Sequence, residues 1–552
     1  MYATQRFITP QCADCLMPYQ DKQSQLWINA DVYLTNHEFL CELLQADNST
    51  ADAKLILLAY IKYGANCLDY FSGYFSFVIY NPLDKSLFAA VDQFSNNPLY
   101  YSYEEGKQFI CANEFSPFRK LSSQLTINEK HFLEITFDTF SLTETSYQEV
   151  FRLKGGHYLI VDQTGCQQHC YWELKKSKLP KMSRERYYQE FRNIFYNAVN
   201  SCLRNNGENC SQISGGMDSS SVSVQAAIIL VKENRILHSF TALPNNLEGP
   251  SNRKNWYYHE MPIIKSILNM YPNVLHHQHY TKINDNMYNR LDTLHCYTDQ
   301  PIRNVANMEW IFASYKFANH HDSRVILTGA IGNATISWSG TTLLSKLKKI
   351  YSFVESKIAP SRALNKLFDY NNSFKSRIKE IQRILFDIAF IPDLQMFMLT
   401  GSNTALKSTN YAAQLWYGTK SLDPTIDKDL VEFCYSIPQS VFYKNHKTIN
   451  RRLLVRKGLK DILPTEVTQN TNRGEQAADF YLSYNIHQKQ WLDRLNNLKP
   501  STQAIIWKHF NKDKMLGFFK EYPQIPDKPN SKITIRLMIL SRCLSFAFYL
   551  DQ

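Results

Sequence analysis

Seven consecutive residues, Ser214-Gly215-Gly216-Met217-Asp218-Ser219-Ser220, combine the groups that a pyrophosphate site needs. Glycines let backbone N–H groups come close to an anion. Small hydroxyls donate hydrogen bonds without filling the space, and the one carboxylate can hold Mg²⁺. The run 222–231 behind them is apolar enough to continue as a helix, whose N-terminal dipole adds to the attraction for phosphate. A plain Ser/Gly-rich surface loop is the bland alternative. A lone Ser-Gly-Gly would favour it, and the full string does not.

These groups need a frame. From about residue 183 the chain alternates helix, strand, loop and helix: a helical run at 187–203, a short strand at 210–213, and further strands at 237–242 and 324–329. That rhythm predicts a parallel sheet with its ligand at the strand C-terminal ends, followed by a mostly helical remainder. The strand before the loop, Cys210-Ser211-Gln212-Ile213, is more polar than an ordinary buried parallel strand. Ahead of this unit, residues 26 to about 165 carry short aromatic and β-branched strands at 26–28, 73–80, 87–91 and 108–112. A hairpin tip at 81–85, a helix at 52–63 and closing strands at 155–162 and 171–172 complete it. The expected fold class is α/β and α+β in two domains, a β-rich unit at 1–175 and a parallel-sheet unit at 183–552, with a charged linker at 175–186.

Composition sets the broad class. The 552 residues leave room for two or more cores, and 44% hydrophobic residues with 14% aromatics describe a globular chain. The net charge of +11 is spread thinly, and clusters such as Lys346-Leu347-Lys348-Lys349 and Arg451-Arg452 are short. It reads as solvated surface with a mild preference for anionic ligands such as ATP. Cys12 and Cys15 form a CxxC with no second pair at zinc spacing, so no metal site is expected there. The adjacent histidines of His276-His277-Gln278-His279 point different ways, and a strand end is their expected home. The first thirty residues lack a signal-like apolar core. The apolar stretch 533–550, interrupted by Arg536 and Arg542, reads as a packed amphipathic helix. A cytoplasmic protein with no membrane partner is expected.

The string at 214–220 resembles the PP-loop of N-type ATP pyrophosphatases, which split ATP into AMP and pyrophosphate. It differs from the Walker A pattern, because no Lys precedes its Ser. With a β-rich domain ahead of it, the chain resembles the asparagine synthetase family over nearly its whole length. The segments that carry this are Asn29-Ala30-Asp31-Val32-Tyr33, Ala51-Asp52-Ala53-Lys54, Val91-Asp92 through Asn97-Pro98-Leu99-Tyr100-Tyr101, Asp423-Pro424-Thr425-Ile426-Asp427, Arg451 to Arg456, and Leu463-Pro464. The resemblance implies an Ntn-glutaminase-like N-terminal domain. Its usual nucleophile is a Cys directly after the initiator Met, where this sequence has Tyr2, and the accompanying His-Arg-Gly-Pro segment is absent. Tyr keeps its proton far above neutral pH, and neither Cys12 nor Cys15 is N-terminal, so no glutaminase activity is expected.

The same resemblance implies ATP and Mg²⁺ as cofactors. Ser214, Gly215, Gly216, Asp218, Ser219 and Ser220 would serve pyrophosphate, Thr328-Gly329 the strand end beside it, and Phe240 with Thr241 the adenine. Relatives follow that strand end with metal-binding carboxylates, whereas here Ala330, Asn333 and Ala334 stand in their places. Asp218 is left as the clear metal carboxylate, with the Asn333 carbonyl as a weaker oxygen ligand. Arg473 lies near the family's catalytic Lys and Glu260 where relatives have a substrate-side acid; a surface salt bridge is the plain alternative for both. The implied activity is an AMP-forming amide ligase acting on a carboxylate substrate and an amine. That amine is ammonia or, as in lasso-peptide and β-lactam closing enzymes, an internal one, with a precursor peptide or partner protein. A non-catalytic nucleotide-binding protein and a tRNA-modifying enzyme are the rival readings, the latter disfavoured by the aromatic N-terminal domain.

Overall fold

The computed structural model describes residues 7–122, 124–137, 141–205, 207–245, 247, 251, 255–282, 287–340, 394–400, 404–445, 448–527 and 529–552. Tyr2 and the Lys346–Lys349 cluster lie outside them. Among the described residues the N-terminal part has nine strands: β1 Tyr19–Gln20, β2 Trp27–Leu34, β3 Gly73–Asn81, β4 Ser86–Val91, β5 Tyr100–Glu104, β6 Gln108–Ala112, β7 Phe151–Arg152, β8 His157–Asp162 and β9 Gly165–Cys170. They form a six-stranded antiparallel sheet, ordered β1-β2-β3-β4-β8-β9, and a three-stranded antiparallel sheet, ordered β6-β5-β7. Alternating residues of β3 and β4, Phe75, Phe77, Ile79, Phe88 and Ala90, fill a core with the helices His37–Leu44 and Asp52–Tyr63.

One expectation fails here. The closing strand is Gly165–Cys170, and Tyr171-Trp172 lie just beyond it. At the sheet edge its polar residues are partly solvated, so it lacks the apolar alternation that marks a strand in sequence. Tyr171 instead sends its hydroxyl to the Val91 carbonyl at 2.7 Å.

The second part has β10 Asn209–Gln212, β11 Leu237–Leu243, β12 Trp256–Tyr257, β13 Val274–Tyr280, β14 Val325–Leu327, β15 Lys420–Leu422 and β16 Arg473–Gly474. Five of them form a parallel sheet ordered β13-β11-β10-β14-β15. The polar β10 sits at its centre and is buried all the same, because its side chains find partners. Ser211 accepts from Ser223 at 2.9 Å and Gln212 donates to Ser314 at 2.8 Å. The histidine run lies within β13, an edge strand, rather than at a strand end. The helix Ser531–Leu550 contains a segment long and apolar enough to cross a membrane, yet Leu540, Cys543, Leu544, Phe546, Ala547 and Phe548 are all buried in the helical core.

The two parts meet through buried polar groups. Lys420 of β15, wholly inaccessible, donates to Asp31 of β2 at 3.2 Å and to Asn97 at 3.0 Å. Asp52 accepts from Arg204 at 2.9 Å, from His37 at 2.7 Å and from the Leu34 N–H at 2.8 Å, and these partners hold its carboxyl below the usual range against the cost of burial. Tyr74 of β3 shares its hydroxyl with Asp423, donating to that residue's carbonyl at 2.9 Å and accepting from its N–H at 2.7 Å. Removing one member of such a buried set strands the others. Lys420→Met is therefore expected to cost about 3–5 kcal/mol in a urea unfolding experiment, with partial recovery when Asp31→Asn is added.

Candidate active site

The helix Met217–Val231 starts within the 214–220 string, with Gly216 as its N-cap and Asp218 in its first turn, so the last four residues of the string are already helical. The loop is braced from within. Ser214 and Ser219 hydroxyls lie 2.7 Å apart, the Ser214 N–H donates to Ser219 Oγ at 3.1 Å, and the Gly216 N–H donates to Ser214 Oγ at 3.1 Å. Ser220 donates to the Ser214 carbonyl at 2.6 Å and is completely buried, so it shapes the loop from behind. Ser214, Gly216, Asp218 and Ser219 reach a cleft of about 1500 Å³, which Gly215 and Ser220 do not line.

Neither glycine of the loop is in the left-handed region. What Gly215 supplies is closeness: a Cβ there would lie 3.0 Å from Cβ and Oε1 of Glu260. Glu260 caps the helix Met261–Met270, and its carboxylate accepts the backbone N–H groups of Gly215 and Gly474. Burial pushes its carboxyl up to about 7. The N–H of Gly215 is thus already taken by protein. Asn470 closes the other side by donating to the Gly215 carbonyl at 3.2 Å. Glu260 and Arg473, predicted far apart in sequence, are brought to one place by the pairing of β12 with β16.

Asp218 is the centre of the arrangement. The turn after β14 lies so close that a Cβ on Gly329 would fall 2.7 Å from its carbonyl carbon, and one on Gly332 2.6 Å from its carboxylate. Its Oδ1 is inaccessible and, among the described residues, has no partner at full hydrogen-bond geometry; the buried hydroxyl of Ser337, which also lacks one, stands near enough to the carboxylate only to favour its charged form. Burial raises the Asp218 carboxyl, with Ser337, Arg452 and Arg473 acting in the other direction. Unmet buried oxygens of a carboxylate and a hydroxyl fit a hard cation such as Mg²⁺. Asn333 is engaged otherwise, since its Oδ1 accepts from Arg452 at 3.2 Å. Of the three positions where carboxylates were expected, Ala330 and Asn333 line the cleft, and Ala334 is buried off its wall.

Phe240 and Thr241, in the middle of β11, line the cleft, with the Phe240 ring 5.6 Å from that of His279. Thr241 spends its hydroxyl on the Ile213 carbonyl at 2.6 Å. Thr328 is off the wall and continues the sheet through its N–H to Leu422 at 2.9 Å, whereas Gly329 is on it. Sequence reasoning gave no site role to four contributors. Arg451 and Arg452 reach the cleft, and Arg452 has left-handed backbone at φ 57°. Gly332 carried no signal beyond being one glycine among several. Asp423, quoted only as part of a family segment, holds the turn by accepting the Ile331 N–H at 2.8 Å.

The parallel sheet carries a phosphate-type loop at the end of its central strand, the architecture of a nucleotide-site α/β protein. Residues 10–172 match the glutamine amidotransferase domain, and residues 190–358 and 423–540 match asparagine synthase. The chain belongs to the asparagine synthase family, a family of ATP-dependent amide ligases. It is 26% identical over 354 residues to a putative glutamine-hydrolysing asparagine synthetase of Methanocaldococcus jannaschii, covering 61% of this chain and 64% of that one. It is 22% identical over 485 residues to a glutamine-hydrolysing asparagine synthetase of Bacillus subtilis, covering 82% and 75%. It is also 25% identical over 238 residues to the amidase chyE of Penicillium rubens, covering 42% and 35%. The chain thus spans just under two thirds of the archaeal relative and about a third of the fungal one. A Bacillus subtilis glutamine phosphoribosylpyrophosphate amidotransferase structure aligns over 41% of this chain and 48% of that one, at 13% identity and a TM-score of 0.21, a likeness too weak to bear on the fold.

Two expectations follow from this packing. Gly332→Ala should destabilise the protein by about 1–3 kcal/mol through overpacking. Gly517→Ala, in the helix Lys512–Glu521 with nothing within 4 Å of the new Cβ, should stabilise it by a few tenths to about 1 kcal/mol. Paired denaturant melts decide both. Glu260 has its folded-state value raised to about 7 from 4.5, so the folded protein binds the extra proton and stability falls as pH rises through that window. Glu260→Gln should flatten this fall in unfolding curves taken across that range.

Proposed function

We propose that this chain is an ATP-dependent, AMP-forming amide ligase that activates a carboxylate as its adenylate and passes the acyl group to an amine. The observation that carries this is the unmet Asp218 Oδ1, buried at the start of the helix Met217–Val231, at the edge of a cleft that the loop serines also line. Mg²⁺ held there would neutralise charge on the departing pyrophosphate. The helix N-terminus and the Ser214 and Ser219 hydroxyls bind the phosphates, and Arg451, Arg452 and Arg473 spread the charge that builds as the α-phosphorus is attacked. Arg473 acts by its charge, as a guanidinium suits. Glu260 positions the loop through Gly215 and Gly474. When protonated, it also spares the pyrophosphate a second nearby negative charge.

The cleft volume of about 1500 Å³ exceeds the 300–1,000 Å³ common for single small ligands. Trp256, Trp310 and Phe480 are on its wall. Such a space supports an acyl donor or amine larger than aspartate and ammonia, in the manner of a macrolactam-forming enzyme acting on a precursor peptide. Residues 1–175 and 183–552 form its two functional units. Twelve free cysteines suit a reducing, cytoplasmic setting. The engagement of Asn333 with Arg452 favours, as a second reading, nucleotide binding without turnover.

The test is product analysis with labelled ATP, Mg²⁺ and a panel of carboxylates. The expected products are AMP and pyrophosphate, with turnover reduced at least about 100-fold in Asp218→Asn. ADP and phosphate would overturn the proposal. ATP binding without cleavage by a folded, Mg²⁺-loaded chain would leave the second reading in its place.

A further inference from the structure

Three histidines far apart in sequence converge on one face of the parallel sheet, away from the phosphate loop. His238 is the second residue of β11, His277 the fourth of β13, and His321 follows the helix Val305–His320 that covers this face. In the parallel register Leu275 stands opposite His238 and His277 opposite Phe240, so the two strand histidines are diagonal neighbours pointing the same way. One ring nitrogen from each of the three lies within 4.8 Å of the others. His238 Nδ1 and His277 Nε2 are 3.3 Å apart. Two imidazoles bound at about 2.0–2.1 Å in a tetrahedral shell have their nitrogens about 3.3 Å apart, so this pair already stands at ligand spacing.

The surroundings favour a cation held by neutral imidazoles. The ring of Phe317 packs 5.0 Å from His277 and 4.7 Å from His321, and the His238 and His321 rings stack at 4.2 Å. Burial is the first cause that lowers the proton affinity of all three, and mutual repulsion adds to it for His277 and His321. The neutral form is the one that binds metal. The exposed carboxylate of Glu208 acts electrostatically on both His238 and His321, and the C-terminal end of the helix adds negative potential. His320, whose ring is 5.7 Å from that of His321, is exposed.

We propose that His238, His277 and His321 form a binding site for a single transition-metal ion of the zinc(II) class, with the fourth position open to water or Glu208. Three imidazoles exclude Mg²⁺ and Ca²⁺, which take oxygen ligands, and suit Zn²⁺, Cu²⁺ or Ni²⁺. None of the three residues lines the active-site cleft, whereas Asn304, Asn307 and Trp310, at the other end of the same helix, do. The ion therefore fastens the far end of a cleft-wall helix to the sheet. It is distinct from the cation at Asp218.

The probe is zinc sulfate, titrated against the full chain after tag removal and chelator treatment, with Mg²⁺ present throughout. One zinc ion should bind per chain with micromolar or tighter affinity and raise the melting temperature. His277→Asn and His321→Ala should each weaken binding at least tenfold while leaving circular dichroism and Mg²⁺–ATP binding unchanged. X-ray absorption of the zinc-loaded wild-type chain, which needs no variant to fold, should show imidazole scattering and no zinc–sulfur shell. A sulfur shell, affinity weaker than about 100 μM, or undiminished binding by the folded His277→Asn/His321→Ala double variant would overturn the proposal. Failure of ATP cleavage would leave this site untouched.

Discussion

The backbone between Gly329 and Gly332 lies against Asp218 with no space for even one methyl group at either end. That close approach governs the active half of the molecule. It sets the depth of the carboxylate and holds the start of the helix Met217–Val231 against the turn. The loop in front then needs its own bracing, which Ser214, Ser219 and Ser220 supply by bonding to one another and to loop backbone. Hydroxyls that look like ligands in sequence are thus divided between holding shape and facing the cleft. The buried Glu260 extends the same logic, because it fastens Gly215 to Gly474 and so joins the loop to a segment more than two hundred residues away.

Polar burial is also how the two halves are joined. Asp52, buried, and Asp31, partly buried, meet donors from the second half across the seam, while buried Asp92 is satisfied within the N-terminal half beside it. Asp92 accepts backbone N–H groups from Phe75, Phe94, Asn96 and Asn97; Asp52 is met by His37 and Arg204; Asp31 by Tyr411 and Lys420. Such networks specify one mutual arrangement of the halves more sharply than apolar contact, since a shifted seam would leave charges without partners.

Much of this was legible in the sequence, for identifiable reasons. The loop string and the strands flanking it carry strong local signals, and β3, β4, β6 and β11 were found to within a residue at each end. The edge strand Gly165–Cys170 was not, because half-solvated strands lose the alternation that identifies them. The strand Lys420–Leu422 was missed because three residues show no periodicity. Within the site, Asp218 and Glu260 were recognisable as residue types, but not that Glu260 would occupy the Gly215 N–H. The histidine cluster was invisible for a related reason. Its members lie on two strands and a helix end, whereas the adjacent run at 276–279 is the visible feature in sequence and only its His277 takes part. Sequence proximity ranked the wrong histidines together, and strand register regrouped them.

The shared hydroxyl of Tyr74 has a consequence for how such a protein can be taken apart. Tyr74 holds Asp423 by its backbone, Asp423 holds the Ile331 N–H, and Ile331 lies inside the turn pressed on Asp218. Three links connect the N-terminal sheet to the heart of the synthetase half. The charged linker at 175–186 looks like a natural place to cut, graft or recombine, yet the physical boundary does not run there. A fragment freed at the linker would carry a misplaced turn, and a chimera would inherit its foreign partner's alignment of it. The N-terminal domain is in this sense a jig for the active half, with a use that does not depend on any chemistry of its own.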